Sequence, residues 1–427
     1  FIKYNNVMFK KEIILGILCL FAACHSNDEI IEEQESPKNE QQEPKARVDI
    51  ILSHEEQAMS ESTNDFAFQL FKQVCVSENR KTNIFISPFS VSLCLSMSAN
   101  GANGNTLTEI KKVLGFSSSS MDEVNTYNQK LMSSLLNIDN TTQIGIANSV
   151  WINQGFVVKN TFIDINKLKY NAWVESLDFS SASAIATINA WCARNTENRL
   201  VDIMDEISPE ARLILINALY FKGKWTNPFS KEVTKNDFFT NIDGEQVKVD
   251  MMCQEESFRC MNNEKFAIAE FPYGNEAFSM VVVLPVENSS LEESLLWLSN
   301  DAWKQCETQM SYQKLQVKMP KFSFKYQKPL NSDMSVLGMK DAFILGLADF
   351  RNISASENLY LSSLEQFTYL EVNEEGTESA AITTEVPATS TGDDKDIIHF
   401  FMDRPFIFMI KEKSTGLILF MGQVTKL

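Results

Sequence analysis

The sequence predicts an α+β fold in which helices come first along the chain and long strands follow. Apolar residues recur at helical spacing early on, as at Phe66, Leu70, Phe71 and Val74. Later runs are instead rich in β-branched and aromatic residues and are bounded by Pro, Gly or Asn. Helices followed by many long strands indicate large antiparallel or mixed sheets.

The elements follow from these patterns in chain order. A second helix is expected over Ser90 to Ala99, and the glycine-containing segment 98–106 is expected to be a turn between helices. That segment lacks the lysine of a phosphate-binding loop, and no strand precedes it. The later strand-like runs are 278–286, 315–324, 360–372 and 406–420.

Composition and charge narrow the class of protein. The chain has 427 residues, 44% of them hydrophobic, so it can bury a large core. Its net charge of −18 would repel a phosphate backbone, which argues against a nucleic-acid partner. Two of the three histidines, His25 and His54, lie in a polar N-terminal stretch, which leaves only His399 for a folded active site. Histidine-based hydrolysis and metal chemistry are therefore disfavoured, and no metal or cofactor is expected.

Residues 1–24 are interpreted as a signal peptide. Lys10 and Lys11 precede an uncharged apolar run, 13–23, which is shorter than the about 20 residues that a membrane-spanning helix needs. The run ends in small residues directly before Cys24, which resembles a bacterial lipobox whose cysteine carries a lipid. The alternative is that Cys24 is an incidental residue near an ordinary cleavage site.

Residues 25–58 are predicted to form a disordered acidic tether, because Glu, Gln, Asn, Ser, Pro and Lys dominate the stretch. Acidic residues just behind a lipidated cysteine resemble the surface-export signals of bacterial lipoproteins, and a merely solvating linker fits as well. We therefore expect an exported cell-envelope lipoprotein, at the outer-membrane surface or facing the periplasm, or otherwise an extracellular protein. The membrane would be contacted only through the lipid anchor.

The remaining chain, 59–427, is predicted to be one large domain, because only the segment near 374–396 has the composition of a long loop. The cysteines of this domain show no metal-type spacing. Only Cys253 and Cys260, which flank a short polar stretch, could pair in an oxidising compartment.

The segment 374–396 combines two properties. Its tail is polar and open to proteases, whereas its first half consists of small and β-branched residues that can form a strand. Side chains alternate along a strand, so one face would carry only small residues, namely Thr377, Ser379, Ala381 and Thr383. A loop with a buriable face indicates a segment that can insert into a sheet.

Several motifs, all in order along the chain, resemble those of the serpin family. They are NIFISPFSVS at 83–92, NALYFKGKW at 217–225, VKMPKF at 317–322, ADF at 348–350, RPFIF at 404–408 and FMG at 420–422. Phe229 and Thr234 also stand at matching offsets. The resemblance covers nearly all of 59–427 and implies three β-sheets, eight or nine helices and an exposed reactive-centre loop at about 374–396.

The resemblance also implies roles for individual residues. The hinge of the loop would be Glu374, Gly376, Thr377, Glu378, Ser379, Ala380 and Ala381, a composition that fits inhibitory members. A buried network under the main sheet would contain Ser87, Asn217 and Gln366.

Two positions depart from the family pattern. Gln366 stands where a histidine is usual, although an amide can also donate and accept hydrogen bonds. Glu385 falls on the same strand face as Thr377, and burying its carboxylate would oppose complete insertion.

The implied function is a suicide inhibitor of serine proteases that inserts its cleaved loop and has no catalytic residues of its own. Family spacing from the hinge glycine places the reactive bond at Ser390–Thr391, with Thr389–Ser390 as the near alternative and Lys395 as a rival. Small neighbouring side chains suit elastase-like or subtilisin-like proteases.

The expected partner is a target serine protease, with papain-like cysteine proteases as further targets, and the protein is expected to be a monomer. The alternative is a non-inhibitory serpin whose loop is only a substrate. The histidine count argues against an enzyme, and the hinge argues against a purely structural lipoprotein.

Overall fold

Nine α-helices lie in the part of the chain that the computed structural model describes, residues 45–208, 210–355, 358–377 and 397–427. All of these residues fall within one structural unit, Gln42–Leu427. The helices are α1 (His54–Ser77), α2 (Pro88–Ala99), α3 (Gly104–Val113), α4 (Met121–Leu135), α5 (Asn160–Tyr170), α6 (Ala182–Asn195), α7 (Leu291–Trp297), α8 (Asn300–Gln309) and α9 (Asn331–Leu337).

Strands alternate with these helices and dominate the later part of the chain. They are β1 (Ile84–Ile86), β2 (Thr142–Asn153), β3 (Trp173–Leu177), β4 (Leu213–Lys224), β5 (Lys235–Thr240), β6 (Gln246–Asn262), β7 (Phe266–Tyr273), β8 (Phe278–Pro285), β9 (Ser311–Pro320), β10 (Phe322–Pro329), β11 (Glu365–Asn373), β12 (Gly376–Thr377), β13 (Ile398–Phe401), β14 (Phe406–Glu412) and β15 (Ile418–Val424). The α+β class is therefore confirmed.

The helix starts follow from local capping. Ser53 caps α1, where its side chain accepts from the backbone N–H of Glu56 and the Glu56 carboxylate accepts from the backbone N–H of Ser53. This helix thus begins at His54, ahead of the expected domain start at residue 59. Ile50 and Leu52 are already buried against the core, so the folded chain includes part of the stretch interpreted as a tether.

The strands form two hydrogen-bonded sheets within the described residues. The larger has the order β1-β15-β14-β8-β7-β6-β9-β13, with β5 added on β6, and the smaller has the order β10-β11-β12-β4-β2-β3. β6 is long: residues 246–251 pair with β5, residues 251–260 pair with β9, and residues 259–262 pair with β7. Because β6 takes part in both halves of the larger sheet, two of the three sheets that the resemblance implies are joined into one. The described residues therefore form two sheets.

Two of the expected strand runs are each divided in the structure. The run 315–324 is interrupted at Lys321, whose backbone N–H donates to Asp250, so that β9 and β10 belong to different sheets. The run 406–420 contains a turn between β14 and β15, which pair with each other as a hairpin. Apolar composition alone therefore did not reveal where these runs turn.

The smaller sheet is covered on both faces. One face packs on α2, whose residues are all buried, and contributes Leu215 and Leu219 to the main core. The other face packs on α6, where Trp191 and Ile188 join Ala218 in a second hydrophobic cluster. The sheet is therefore the central layer of the part of the molecule that carries the candidate site.

Cys253 and Cys260 lie seven positions apart on β6, and both thiols are free. Along a strand that separation is about 23 Å at roughly 3.3 Å per residue, and the odd spacing points the two side chains to opposite faces. A disulfide between them is therefore excluded in this fold, because their Cα atoms would have to lie within about 7 Å.

No helix in the described ranges is both long enough and apolar enough to cross a bilayer. The same residues hold no cluster of three or more metal-ligating side chains. His399, the histidine that the composition left for a folded site, is exposed on β13 and stacks on Phe401 with ring centroids 4.9 Å apart.

Candidate functional site

The start of the hinge lies inside the smaller sheet. Gly376 and Thr377 form β12, in which Thr377 is opposite Val372 of β11 on one side and opposite Gly223 of β4 on the other. Both pairings are antiparallel. In the described residues, β4 and β11 form no ladder with each other, and β12 alone connects them. We call the strand position between β4 and β11 the slot, and the part at β12 its hinge end.

Gly376 fits the slot only because it has no side chain. Its φ is +151°, and a Cβ built on it would lie 2.0 Å from the carbonyl oxygen of Gly223 and 2.7 Å from the Cα of Lys224. Both contacts are with backbone, which cannot rotate away as a side chain can. Glycine at this position therefore allows the chain to turn from β11 into the slot.

Thr377 points into the core beneath the sheet. Its side chain is buried, and its Oγ1 lies 2.7 Å from the hydroxyl of Tyr273. Burial raises the pKa of Tyr273, which keeps this hydroxyl protonated. Trp225 stacks on the Tyr273 ring with centroids 4.5 Å apart, so the partner of Thr377 is itself held rigidly.

Backbone hydrogen bonds fix the residues just before β12. The N–H of Phe229 donates to Glu374 O and the N–H of Trp225 donates to Glu375 O, both at 2.8 Å. The indole N–H of Trp225 also donates to Asn373 O at 3.0 Å. The turn that leads into the slot is therefore clamped against the segment that follows β4.

Charged side chains reinforce this clamp. Burial disfavours the charged form of the Glu374 carboxylate. Backbone hydrogen bonding, Lys321 Nζ at 3.1 Å and the Thr234 hydroxyl at 3.1 Å favour the charged form more strongly, so the pKa of Glu374 lies below its ordinary value. Lys231 pairs with Glu375 at 2.8 Å. The two acidic residues ahead of the hinge glycine thus have cationic partners.

The buried network under the sheet centres on Asn217. Its side-chain N–H donates to Asn148 Oδ1 at 2.7 Å, and its side-chain oxygen Oδ1 accepts from the hydroxyl of Ser90. Asn148 in turn donates to Tyr170 O at 2.8 Å. This network ties β4 to β2 and to α2.

The structure departs from the expected grouping of Ser87, Asn217 and Gln366. Ser87 is the N-cap of α2, so its hydroxyl accepts from Ser90 N and donates to Leu419 O at 2.8 Å instead of reaching Asn217. Gln366 is buried on β11, and its Oε1 has no hydrogen-bond partner. The glutamine that replaces the usual histidine therefore presents an unsatisfied acceptor.

The far end of the slot contains a cavity of about 650 Å³. It lies between the start of β4 and the residues that lead into β11, and Cys94 and Ser98 of α2 also line it. Its lining includes Leu213, Leu215, Leu359, Leu361 and Leu364. The slot is thus closed by β12 at the hinge end and open at the far end.

The remaining predicted site residues lie outside the described residues. These are Cys24, Glu378, Ser379, Ala380, Ala381, Thr389, Ser390, Thr391 and Lys395, together with the departure Glu385.

Several side chains that hold the hinge were not predicted as site residues, among them Tyr273, Lys321 and Thr234. Two of them carried a signal, because Lys321 lies in the VKMPKF motif and Thr234 stands at a family offset.

Comparison with known proteins defines the class. The family model described as serpin (serine protease inhibitor) matches residues 61–427, and the chain therefore belongs to the serpin family. Members of this family are typically protease inhibitors and not enzymes.

Relatives cover nearly the whole chain. An uncharacterised serpin-like protein of Thermococcus kodakarensis is 31% identical over 384 residues, which are 89% of this chain and 88% of that protein. The human leukocyte elastase inhibitor is 32% identical over 379 residues, 86% of this chain and 98% of its own length.

Solved structures have the same fold. Tengpin, a thermophilic serpin in its native state, aligns with a TM-score of 0.81 at 31% identity and covers 90% of this chain and 97% of its own. Human thyroxine-binding globulin in complex with its ligand aligns with a TM-score of 0.79 at 30% identity, covering 87% and 99%. The serpin fold expected from the sequence is confirmed.

Proposed function

We propose that this protein is a suicide inhibitor of elastase-like or subtilisin-like serine proteases. In this proposal the protease cleaves the loop, remains bound as an acyl-enzyme and is trapped when the cleaved loop fills the slot. The observation that carries the proposal is β12, where the first two hinge residues already pair with β4 on one side and β11 on the other.

Extending these two registers assigns a position to every residue of an inserted loop. Each step along the loop moves one residue back along β4 and one residue back along β11. Ser379 would face Phe221 and Leu370, and Ala381 would face Leu219 and Thr368. These partners are buried, so small inward-facing side chains are what the slot requires.

The same register brings Thr383 level with Asn217 and Gln366. A threonine hydroxyl at this level could donate to Gln366 Oε1, the buried acceptor that lacks a partner. The glutamine would then be satisfied in the inserted state and not before it. This favours insertion despite the departure from the family pattern.

Filling the slot supplies the driving force. About 12 further strand residues, at about 0.5 to 1.5 kcal/mol net per hydrogen bond, give on the order of 6 to 18 kcal/mol. That is enough to displace a tethered protease and distort its catalytic site.

We place the reactive bond at Ser390–Thr391, with Thr389–Ser390 as the near alternative. Small residues precede this bond and suit a shallow specificity pocket. Lys395, the rival, would attract trypsin-like enzymes, but Asp393, Asp394 and Asp396 surround it.

A mixing experiment tests the proposal. Pancreatic elastase should give a covalent complex that survives denaturant, and trypsin should give little or none. Mass spectrometry of the released C-terminal fragment should find Thr391 or Ser390 at its start. A stable complex whose fragment starts at Asp396 would overturn the assigned bond.

The competing function, a non-inhibitory serpin, is favoured by one feature. The extended register puts Glu385 between Leu215 and Leu364, where a carboxylate would be buried among apolar side chains. If elastase cleaves the loop and leaves as free enzyme without forming a complex, this second function is the correct one.

We further propose that the mature chain is anchored to the cell envelope by lipid at Cys24. The short apolar run that ends in small residues before this cysteine supports the proposal. Cys24→Ala should move the protein from the membrane fraction to the soluble fraction. Equal membrane association of parent and variant would exclude a lipid anchor at this residue.

A further inference from the structure

The turn that follows α6, residues 196–200, lies over the slot close to its hinge end. A small cavity of about 10 Å³ lies under this turn. Tyr220 of β4, Tyr369 of β11, Arg199 and Thr377 are all among its lining residues. The turn therefore reaches both edges of the slot, at β4 and at β11, close to Thr377.

Glu197 fastens the turn to the β4 side. Its carboxylate accepts from the hydroxyl of Tyr220 at 3.1 Å and lies 3.7 Å from Lys222 Nζ. The other carboxylate oxygen accepts from the side-chain amide of Gln143 on β2. Three side chains on one side of the slot thus hold a single carboxylate.

Arg199 fastens the turn to the β11 side. The carbon of its guanidinium lies 5.3 Å from the centroid of the Tyr369 ring, within range of a cation–π interaction. The hydroxyl of Tyr369 donates to Glu371, two positions along the same strand, at 2.8 Å.

The backbone of the turn is held in an uncommon conformation. Glu197 and Asn198 have φ of +47° and +61°, in the left-handed region that residues other than glycine rarely adopt. Asn198 N donates to Ala193 O and Arg199 N donates to Thr196 O, both at 2.8 Å. These bonds aim Glu197 and Arg199 at opposite sides of the slot.

We propose that Glu197 and Arg199 form a latch that limits the rate at which the cleaved loop fills the slot. This inference rests on the proposed function. In the extended register, the loop residue level with both Tyr220 and Tyr369 is Ala380, on the face that the turn covers. The incoming strand must pass between these two tyrosines, so the contacts of the latch have to open before insertion can proceed.

The latch is tested by the rate at which elastase-cleaved protein becomes resistant to heat, measured together with the stoichiometry of inhibition. Arg199→Ala and Tyr369→Leu should speed the gain of heat resistance by about two- to fivefold, the range expected for a half-exposed cation–π contact. Arg199→Lys and Tyr369→Phe keep a cation and a ring, and both should behave like the parent. Arg194→Ala is the matched control, because Arg194 is an exposed arginine on α6.

The outcomes separate the latch from the proposed function. Equal rates for Arg199→Ala and Arg194→Ala, in a protein that does gain heat resistance, would overturn the latch alone. A parent protein that gains no heat resistance on cleavage would overturn the proposed function and the latch with it. Faster insertion in Arg199→Ala and Tyr369→Leu, with the conservative variants at the parental rate, would support both.

Discussion

The two ends of the slot are built in opposite ways. At the hinge end, Gly376 and Thr377 are paired on both sides, and the Thr377 hydroxyl has a partner in Tyr273. At the far end, a cavity of about 650 Å³ separates β4 from the approach to β11. Between the two ends, Gln366 has a buried oxygen without a partner. The hinge end is therefore satisfied before cleavage, and the groups left unsatisfied lie farther along the path that the loop would follow.

This difference indicates where insertion begins and where it would meet resistance. Closed contacts at the hinge end give the loop a fixed starting register. Filling the far end would form the remaining strand hydrogen bonds and so release most of the free energy of insertion. Burial of the Glu385 carboxylate would oppose this last part of insertion. Substitutions at the hinge end should therefore have larger effects than substitutions toward the far end.

The largest effect is expected from Thr377→Arg. A guanidinium beneath the sheet would be buried without an anionic partner, so the loop would insert slowly and the acyl-enzyme would hydrolyse first. We expect the stoichiometry of inhibition with elastase to rise by about tenfold or more. Thr377→Ser, which keeps the hydroxyl for Tyr273, should remain near the parental value. If Thr377→Arg still traps elastase at the parental stoichiometry, the hinge end does not control insertion.

Gly376→Ala should have the next largest effect. The added methyl group would overlap the backbone of Gly223 and Lys224, which expels the hinge from the slot at a cost of about 1–3 kcal/mol. The melting temperature should fall, and the stoichiometry of inhibition should rise. Gly155→Ala is the control, because Gly155 also has positive φ but has nothing within 4 Å of its Cβ position. Equal effects of the two variants would mean that backbone conformation matters at Gly376 and contact does not.

The variant Glu385→Gln tests the far end of the slot. If the Glu385 carboxylate opposes the last steps of insertion, trapping by the parent should improve about two- to fivefold as pH falls from 8 to 5.5, because burial favours the protonated form. Glu385→Gln should trap well at both pH values. Glu378→Gln is the matched control, since strand alternation puts Glu378 on the opposite face to Thr377. A pH profile that is the same for parent and Glu385→Gln would remove Glu385 from this role.

The smallest effect concerns the acid dependence of stability at the hinge end. The pKa of Glu374 is lowered in the folded protein, so its contribution is present above its ordinary pKa of 4.5 and is lost as pH falls through the folded value. Glu374→Gln should therefore lower the melting temperature by about 1–3 °C at pH 7 and by less at pH 3.5. Glu375→Gln, which affects a more exposed ion pair, should change it less. A loss that is the same at both pH values would contradict the assigned cause.

The sequence alone determined the class of fold and the character of the hinge. Helical periodicity and strand composition are local signals, so α1, α2 and the run that forms β8 could be predicted without tertiary information. The small residues that alternate after Gly376 likewise identify a segment that can be buried.

Only the tertiary structure decided which residues meet the hinge. Tyr273 lies 104 residues before Thr377, and Arg199 in the turn after α6 meets Tyr369 on β11. Gln366 is a second case. The sequence predicted that it belongs to the network under the sheet, but not that its Oε1 lacks a hydrogen-bond partner, because the hydroxyl of Ser87 is used to cap α2. Strand register brings such distant residues together, and register depends on packing across the whole sheet, which no local pattern in the sequence records.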